Sequence, residues 1–153
     1  MLGKLFYVLH VLGAVLWVGG MAFALLALRP ALAALEPGPR LLAHEGALAR
    51  FFRTVWHVMP ILLLTGYALL FGWYGGFAGA GWHIHVMHLA AIIMAAVFVG
   101  IVTGPWKEFR AARARAELPA AAAALGRVRQ LVIANLGLGL LTVGVAAWGR
   151  FPG

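Results

Sequence analysis

The sequence predicts an integral membrane protein, an all-α bundle of four transmembrane helices. Hydrophobic residues make up 64% of its 153 positions and charged residues only 10%, which is too apolar for a soluble domain of this length. Four apolar runs, about 5–28, 55–74, 83–103 and 128–148, each supply the roughly 20 residues that a helix needs to cross the hydrocarbon. Lipid offers no hydrogen-bond partner to an open backbone, so these runs are expected to be helices. They form a single domain spanning residues 1–153.

The formal charge of +8 would suit a nucleic-acid partner, but its distribution speaks against one. Arg29, Arg40, Arg50 and Arg53 lie in the first connection, and Lys107, Arg110, Arg113, Arg115, Arg127 and Arg129 in the third. Lys4 and Arg150 are the only basic residues towards the opposite ends. By the positive-inside rule the two basic connections are cytoplasmic, so both termini are expected on the periplasmic side of a bacterial inner membrane. The expected partner is the lipid bilayer.

The chain has no cysteine, which removes c-type haem attachment, iron–sulfur clusters, thiolate copper ligands and disulfides. Glu36, Glu45, Glu108 and Glu117 are its four acids, and all fall in the basic connections, leaving no carboxylate for a site within the membrane. Any intramembrane metal must be held by histidine or methionine. The N-terminal run is too long for the apolar core of a signal peptide, and His10 inside it argues for a retained helix.

In the first helix His10, Gly13, Ala14, Trp17, Gly20 and Met21 share one face. Gly13 and Gly20 make room either for a bulky group or for a closely packed helix. Arg29-Pro30 is expected to end this helix. From Leu41 the chain is amphipathic and is expected to lie along the interface before turning into the second span. That span carries His57, Pro60, Thr65 and Gly66, and His44 ahead of it reads as a solvated surface residue.

The third helix opens with WHIHVMH, Trp82 to His88, and continues with small residues below His88. A basic, alanine-rich connection follows and reads as a solvated face. The fourth helix has no histidine, and Asn135 is its one strongly polar mid-membrane side chain. Trp73, Tyr74 and Trp82 suit an outer aromatic belt, Trp56 and Trp106 an inner one. Exposed glycine-bearing faces are compatible with a homodimer.

A histidine inside the membrane is costly and marks a candidate site. His10 lies about 8 Å inside the first span, and His88 enters the third from the same side to about the same depth. The axial nitrogens of a six-coordinate haem stand about 4 Å apart across the iron, which equal depth on facing helices would allow. We therefore expect His10 and His88 as axial ligands of one b-type haem, with two haems as the alternative. Gly13 and Trp17 would line it, and His85 would ligate in place of His88 or receive a propionate. His57 lies in the opposite leaflet, either in a proton-handling cluster with Arg53, Arg129 and Gln130 or as a satisfied interfacial histidine. Alternatively, His83, His85 and His88 with Met87 form a His–Met cluster whose ligand types suit copper.

LHVLGAVLWVGGMAF in helix one, an arginine ahead of the second span, the Thr65-Gly66 step and the outer-loop glycine before helix three resemble the copper-resistance D (CopD) family. The same features are similar to the HemJ type of protoporphyrinogen oxidase, another small four-span protein. The resemblance covers most of the chain, and its specific part is helix one. It implies that His10 is the candidate haem or metal ligand. HemJ proteins carry a lysine early in helix three, where this chain has His88, and commonly an acid early in helix four, where it has Asn135. Both departures count against protoporphyrinogen oxidation. Three functions follow as expectations: a membrane cytochrome or oxidoreductase passing electrons to or from a quinone or redox-protein partner, a copper-handling protein, and a small subunit of a larger redox complex.

Overall fold

The structure is a computed structural model that describes residues 1–150. It is all-helical, with four helical stretches long and apolar enough to cross a membrane. We number the helices α1 (Leu2–Phe23), α2 (Pro37–Trp73), α3 (Trp82–Thr103), α4 (Pro105–Ala114) and α5 (Leu118–Trp148). The chain reverses at each long connection, so the N-terminus, the α2–α3 loop and the end of α5 share one end of the bundle. Ten of the twelve basic residues occupy the other, and Lys4 and Arg150 lie at the first.

The long helices pair as two antiparallel hairpins, α1 with α2 and α3 with α5, joined mainly along α1 and α5. Small residues set both hairpins. Gly3 lies under Trp73, Gly13 under Leu62 and Val58, and Gly20 against Phe51, so α1 can lie close along α2. Gly139 of α5 packs against Met94 and Val18. Buried Ala121, Ala124, Val128, Val132, Asn135 and Gly139 recur at intervals of three and four residues and give α5 its core-facing seam. Helices α2 and α3 adjoin in sequence but touch sparsely, and aromatic side chains bridge them. Phe98, 2% exposed, meets Phe52 at 6.0 Å, Trp56 at 5.4 Å and Trp17 of α1 at 6.2 Å between ring centroids.

Several boundaries differ from the sequence reading, each for a physical reason. Proline 30 does not end the first helix. A π-helical turn at Ala24–Leu28 precedes it, and the chain continues as helix to Ala31 and as a 3-10 turn over Leu32–Ala34. Proline cannot donate to the carbonyl four residues earlier, and the wider π turn shifts the ladder to absorb that missing donor. The amphipathic stretch from Leu41 does not turn on entering the span. It is the first part of one 37-residue helix, α2, which also runs through Pro60. At about 1.5 Å per residue that helix is about 55 Å long, against roughly 30 Å of hydrocarbon.

The basic connection after α3 is not simply a solvated face. Helix α4 buries Trp106, Phe109 and Ala112 against α5 while Lys107, Glu108 and Arg110 stay exposed. Trp106 therefore belongs to the core, stacked on Phe109 at 5.3 Å and edge-on to Phe52 at 5.1 Å, rather than to an inner aromatic belt. Trp56 remains exposed at that level, and Trp73, Tyr74 and Trp82 are exposed at the opposite end.

Between α4 and α5 the amide of Ala116 donates to the Arg113 carbonyl and that of Glu117 to the Ala112 carbonyl, both at 3.0 Å. This is a Schellman cap, and it holds Ala116 at φ 57°, the left-handed region that favours glycine. A hydrogen bond from Arg115 holds the Glu117 carboxyl below the usual carboxylate range. Ala116→Gly is expected to stabilise the detergent-solubilised protein by about 1 kcal/mol, read as a rise in its unfolding temperature. A fall would contradict the cap geometry.

Candidate functional site

His10 sits in a seat on α2. Its Nδ1 lies 2.9 Å from the Leu62 carbonyl oxygen and 3.3 Å from Thr65 Oγ1. A carbonyl can only accept, so Nδ1 carries the hydrogen, and in the neutral ring Nε2 keeps its lone pair. Thr65 is itself oriented, its hydroxyl 2.7 Å from the Ile61 carbonyl. Gly66 completes the seat, because a Cβ there would stand 3.0 Å from His10 Cε1. The Thr65-Gly66 step thus gains a reason: one residue supplies a polar contact and the next leaves room for the ring.

The segment Trp82–His88 divides between two faces of α3. His85 and His88 turn to the α2–α3 loop, where Phe77 lies 6.1 Å from the His85 ring and 5.1 Å from the His88 ring. His88 also meets Tyr67 of α2 edge-on at 5.3 Å. His83 points elsewhere, packing against Gly149 at the end of α5 and beside Trp82. Met87 is four residues from His83 and shares that second face by spacing. Among the described residues no group of three or more histidines and carboxylates converges to hold a metal ion. His85 and His88 thus both border Phe77, while His83 lies against Gly149.

His10 and His88 occupy different seats, one on Leu62, Thr65 and Gly66 and the other against Tyr67 and Phe77. Their α2 contacts are nevertheless adjacent, at Gly66 and Tyr67. Gly13 and Gly20 serve helix packing on α2, and Trp17, 2% exposed, packs on Phe98. His57 is exposed, with Nδ1 2.7 Å from the carbonyl of Arg53. Asn135 is buried, and its Nδ2 donates to the Met94 carbonyl at 3.3 Å.

Sequence reasoning missed that Leu62, Thr65 and Gly66 hold His10, although depth counting contained the signal. His10 is eight residues in from Leu2, and Thr65 is eight back from Trp73. Both are therefore about 12 Å from the same end. Phe77, placed by its loop, had no periodic signal to reveal it.

Residues 45–149, more than half of the chain, match the family model for copper resistance protein D. The chain belongs to that family. The match takes in His57, His83, His85 and His88 and leaves out helix α1 with His10. No curated protein and no solved structure matches the chain. Membership in the copper resistance protein D family and the four apolar helices together establish a multi-pass membrane protein.

The seat on α2 makes a spectroscopic prediction. In 15N NMR of the histidine-labelled protein, His10 should carry its hydrogen on Nδ1, and Gly66→Leu should displace the ring and abolish that signature. An Nε2-protonated His10 in the unaltered protein would contradict the seat.

Proposed function

We propose that this member of the copper resistance protein D family receives a copper ion as cargo at the histidine end of the bundle, with His85 and His88 as its first protein ligands. The observation that carries this reading is the pairing of the two imidazoles around Phe77, within the region that matches the family. Imidazole suits copper, and a two-histidine set leaves coordination positions for the group that delivers the ion and the one that takes it away. By the positive-inside rule the end rich in arginine faces the cytoplasm, so His85 and His88 open to the periplasmic face of a bacterial inner membrane.

His10 is the next imidazole inward. Its Nδ1–H on the Leu62 carbonyl is the kind of support that orients metal-binding histidines and leaves Nε2 for the ion. Deeper in the core, Met94, Met59 and Met21 carry thioethers of the soft type that favours Cu(I). The test is a copper titration of the detergent-purified protein. His85→Ala with His88→Ala should weaken the tightest copper binding by about tenfold or more, since each lost tenfold corresponds to about 1.4 kcal/mol, while His57→Ala leaves it unchanged. Undiminished binding in the double variant would exclude these ligands.

The second reading is a b-type haem with His10 and His88 as axial ligands, in a membrane oxidoreductase with a quinone or redox-protein partner. The same Nδ1 anchor on His10 favours it. Bound haem would supply one-electron redox chemistry. The fit is poorer than for copper, because Val58, Leu62 and Phe51 already cover the Gly13–Gly20 face of α1. Oxidised and dithionite-reduced absorption spectra with iron analysis separate the readings. On the copper reading the visible spectrum lacks a sharp reduced α-band. Such a band with stoichiometric iron, lost in His10→Ala and in His88→Ala, would establish the haem instead.

A further inference from the structure

At the basic end, a groove of about 550 Å3 opens between the stretch after α1 that holds Ala24, Leu25, Leu28 and Arg29, helix α2 and helix α5, and its chemistry is divided. Leu25, Leu28, Leu41, Leu125 and Val132 give it an apolar wall. Arg29, Arg40 and Arg129 give it a cationic edge, His44 lies among them, and no acid lines it. His44 is therefore not the fully solvated residue that its polar neighbours suggest, since it is half-buried on this wall. Among the described residues the ion pairs of Glu45, Glu108 and Glu117 go to Arg110, Arg113, Arg127 and Arg115. The three groove arginines take no part in them. Arg129 Nε is moreover buried without a hydrogen-bond partner. An ionised guanidinium with one nitrogen left unpaired by the protein is costly, and an anion at the part of Arg129 that lines the groove would offset that cost.

We propose that this groove seats one anionic phospholipid of the bilayer, its phosphate against Arg29, Arg40 and Arg129 and one acyl chain along the apolar wall. A lipid accounts for both halves of the groove, whereas a free anion would use only the charged edge. The position fits, because Arg29 marks the level where the apolar run that follows Lys4 ends. Basic pockets between transmembrane helices at the cytoplasmic side are suited to anionic headgroups. The π-helical turn Ala24–Leu28 contributes Ala24, Leu25 and Leu28 to the wall, so the irregularity forced by Pro30 also shapes the groove.

The proposal is independent of the copper reading and is tested on the full chain by native mass spectrometry after delipidation. Phosphatidylglycerol and phosphatidylcholine with the same acyl chains are the probes. Phosphatidylglycerol should be retained at one molecule per chain, at least about tenfold more strongly than phosphatidylcholine. Arg129→Gln and Arg40→Gln should each weaken retention by about tenfold, the size expected for a hydrogen bond to a charged group. Ala122→Trp, which fills the groove without touching its charges, should also weaken it, and Arg110→Gln, outside the groove, should not. Should Arg129→Gln fail to fold, Arg40→Gln and Ala122→Trp decide. Equal retention of the two lipids, unchanged retention in Arg40→Gln or Ala122→Trp, or complete displacement by inorganic phosphate alone would overturn the proposal.

Discussion

The hydrogen bond from His10 Nδ1 to the Leu62 carbonyl fixes how the first two helices meet. In lipid no hydrophobic force drives one helix onto another, so close packing and a few polar contacts decide the register, each such contact being worth about 0.6–2 kcal/mol. A histidine without a partner would be expelled from this level or would carry a larger cost. Leu62 and Thr65 supply the partners and Gly66 the space. In the same register Gly3, Gly13 and Gly20 meet Trp73, Leu62 and Phe51 down the length of the hairpin. One polar contact and a column of small residues therefore reinforce each other.

The basic end has a different physical basis. Helix α2 is far longer than a membrane crossing, and much of its excess carries Leu41, Leu48 and Phe52 into a core shared with Trp106, Phe109, Ala112, Ala121 and Ala124. Such packing beyond the apolar spans draws on water exclusion as well as on shape. At the other end α2 and α3 are held apart by Tyr67, Phe77 and His88 rather than closely packed, which leaves His85 exposed beside the loop. Sparse packing is where local opening is least costly, and a site that exchanges an ion needs such freedom.

The class of fold and the number of spans were legible because both follow from length and hydropathy, and the third span, about 83–103, closely matches α3 at Trp82–Thr103. The ends of the other helices were not. Charge pulled the expected start of the second span to Val55, yet nothing between Pro39 and Pro60 breaks the helical ladder, so α2 starts at Pro37. Pro30 misled because a π turn, invisible in the pattern, absorbs its missing donor. For the candidate site, the three-residue spacing of His85 and His88 put them on one face of the third helix, and both rings do lie beside Phe77. The loop placement of Phe77 and the separation of His83 towards Gly149 depend on how α2, α3 and α5 pack. No local spacing encodes that.

Copper K-edge X-ray absorption of the copper-loaded protein reads directly whether imidazoles at the histidine end receive the ion. The first shell should contain nitrogen with the multiple-scattering pattern of two imidazoles, lost when His85 and His88 are both replaced by alanine. A shell of oxygen or sulfur alone, or the same spectrum from the double variant, would contradict ligation by these histidines.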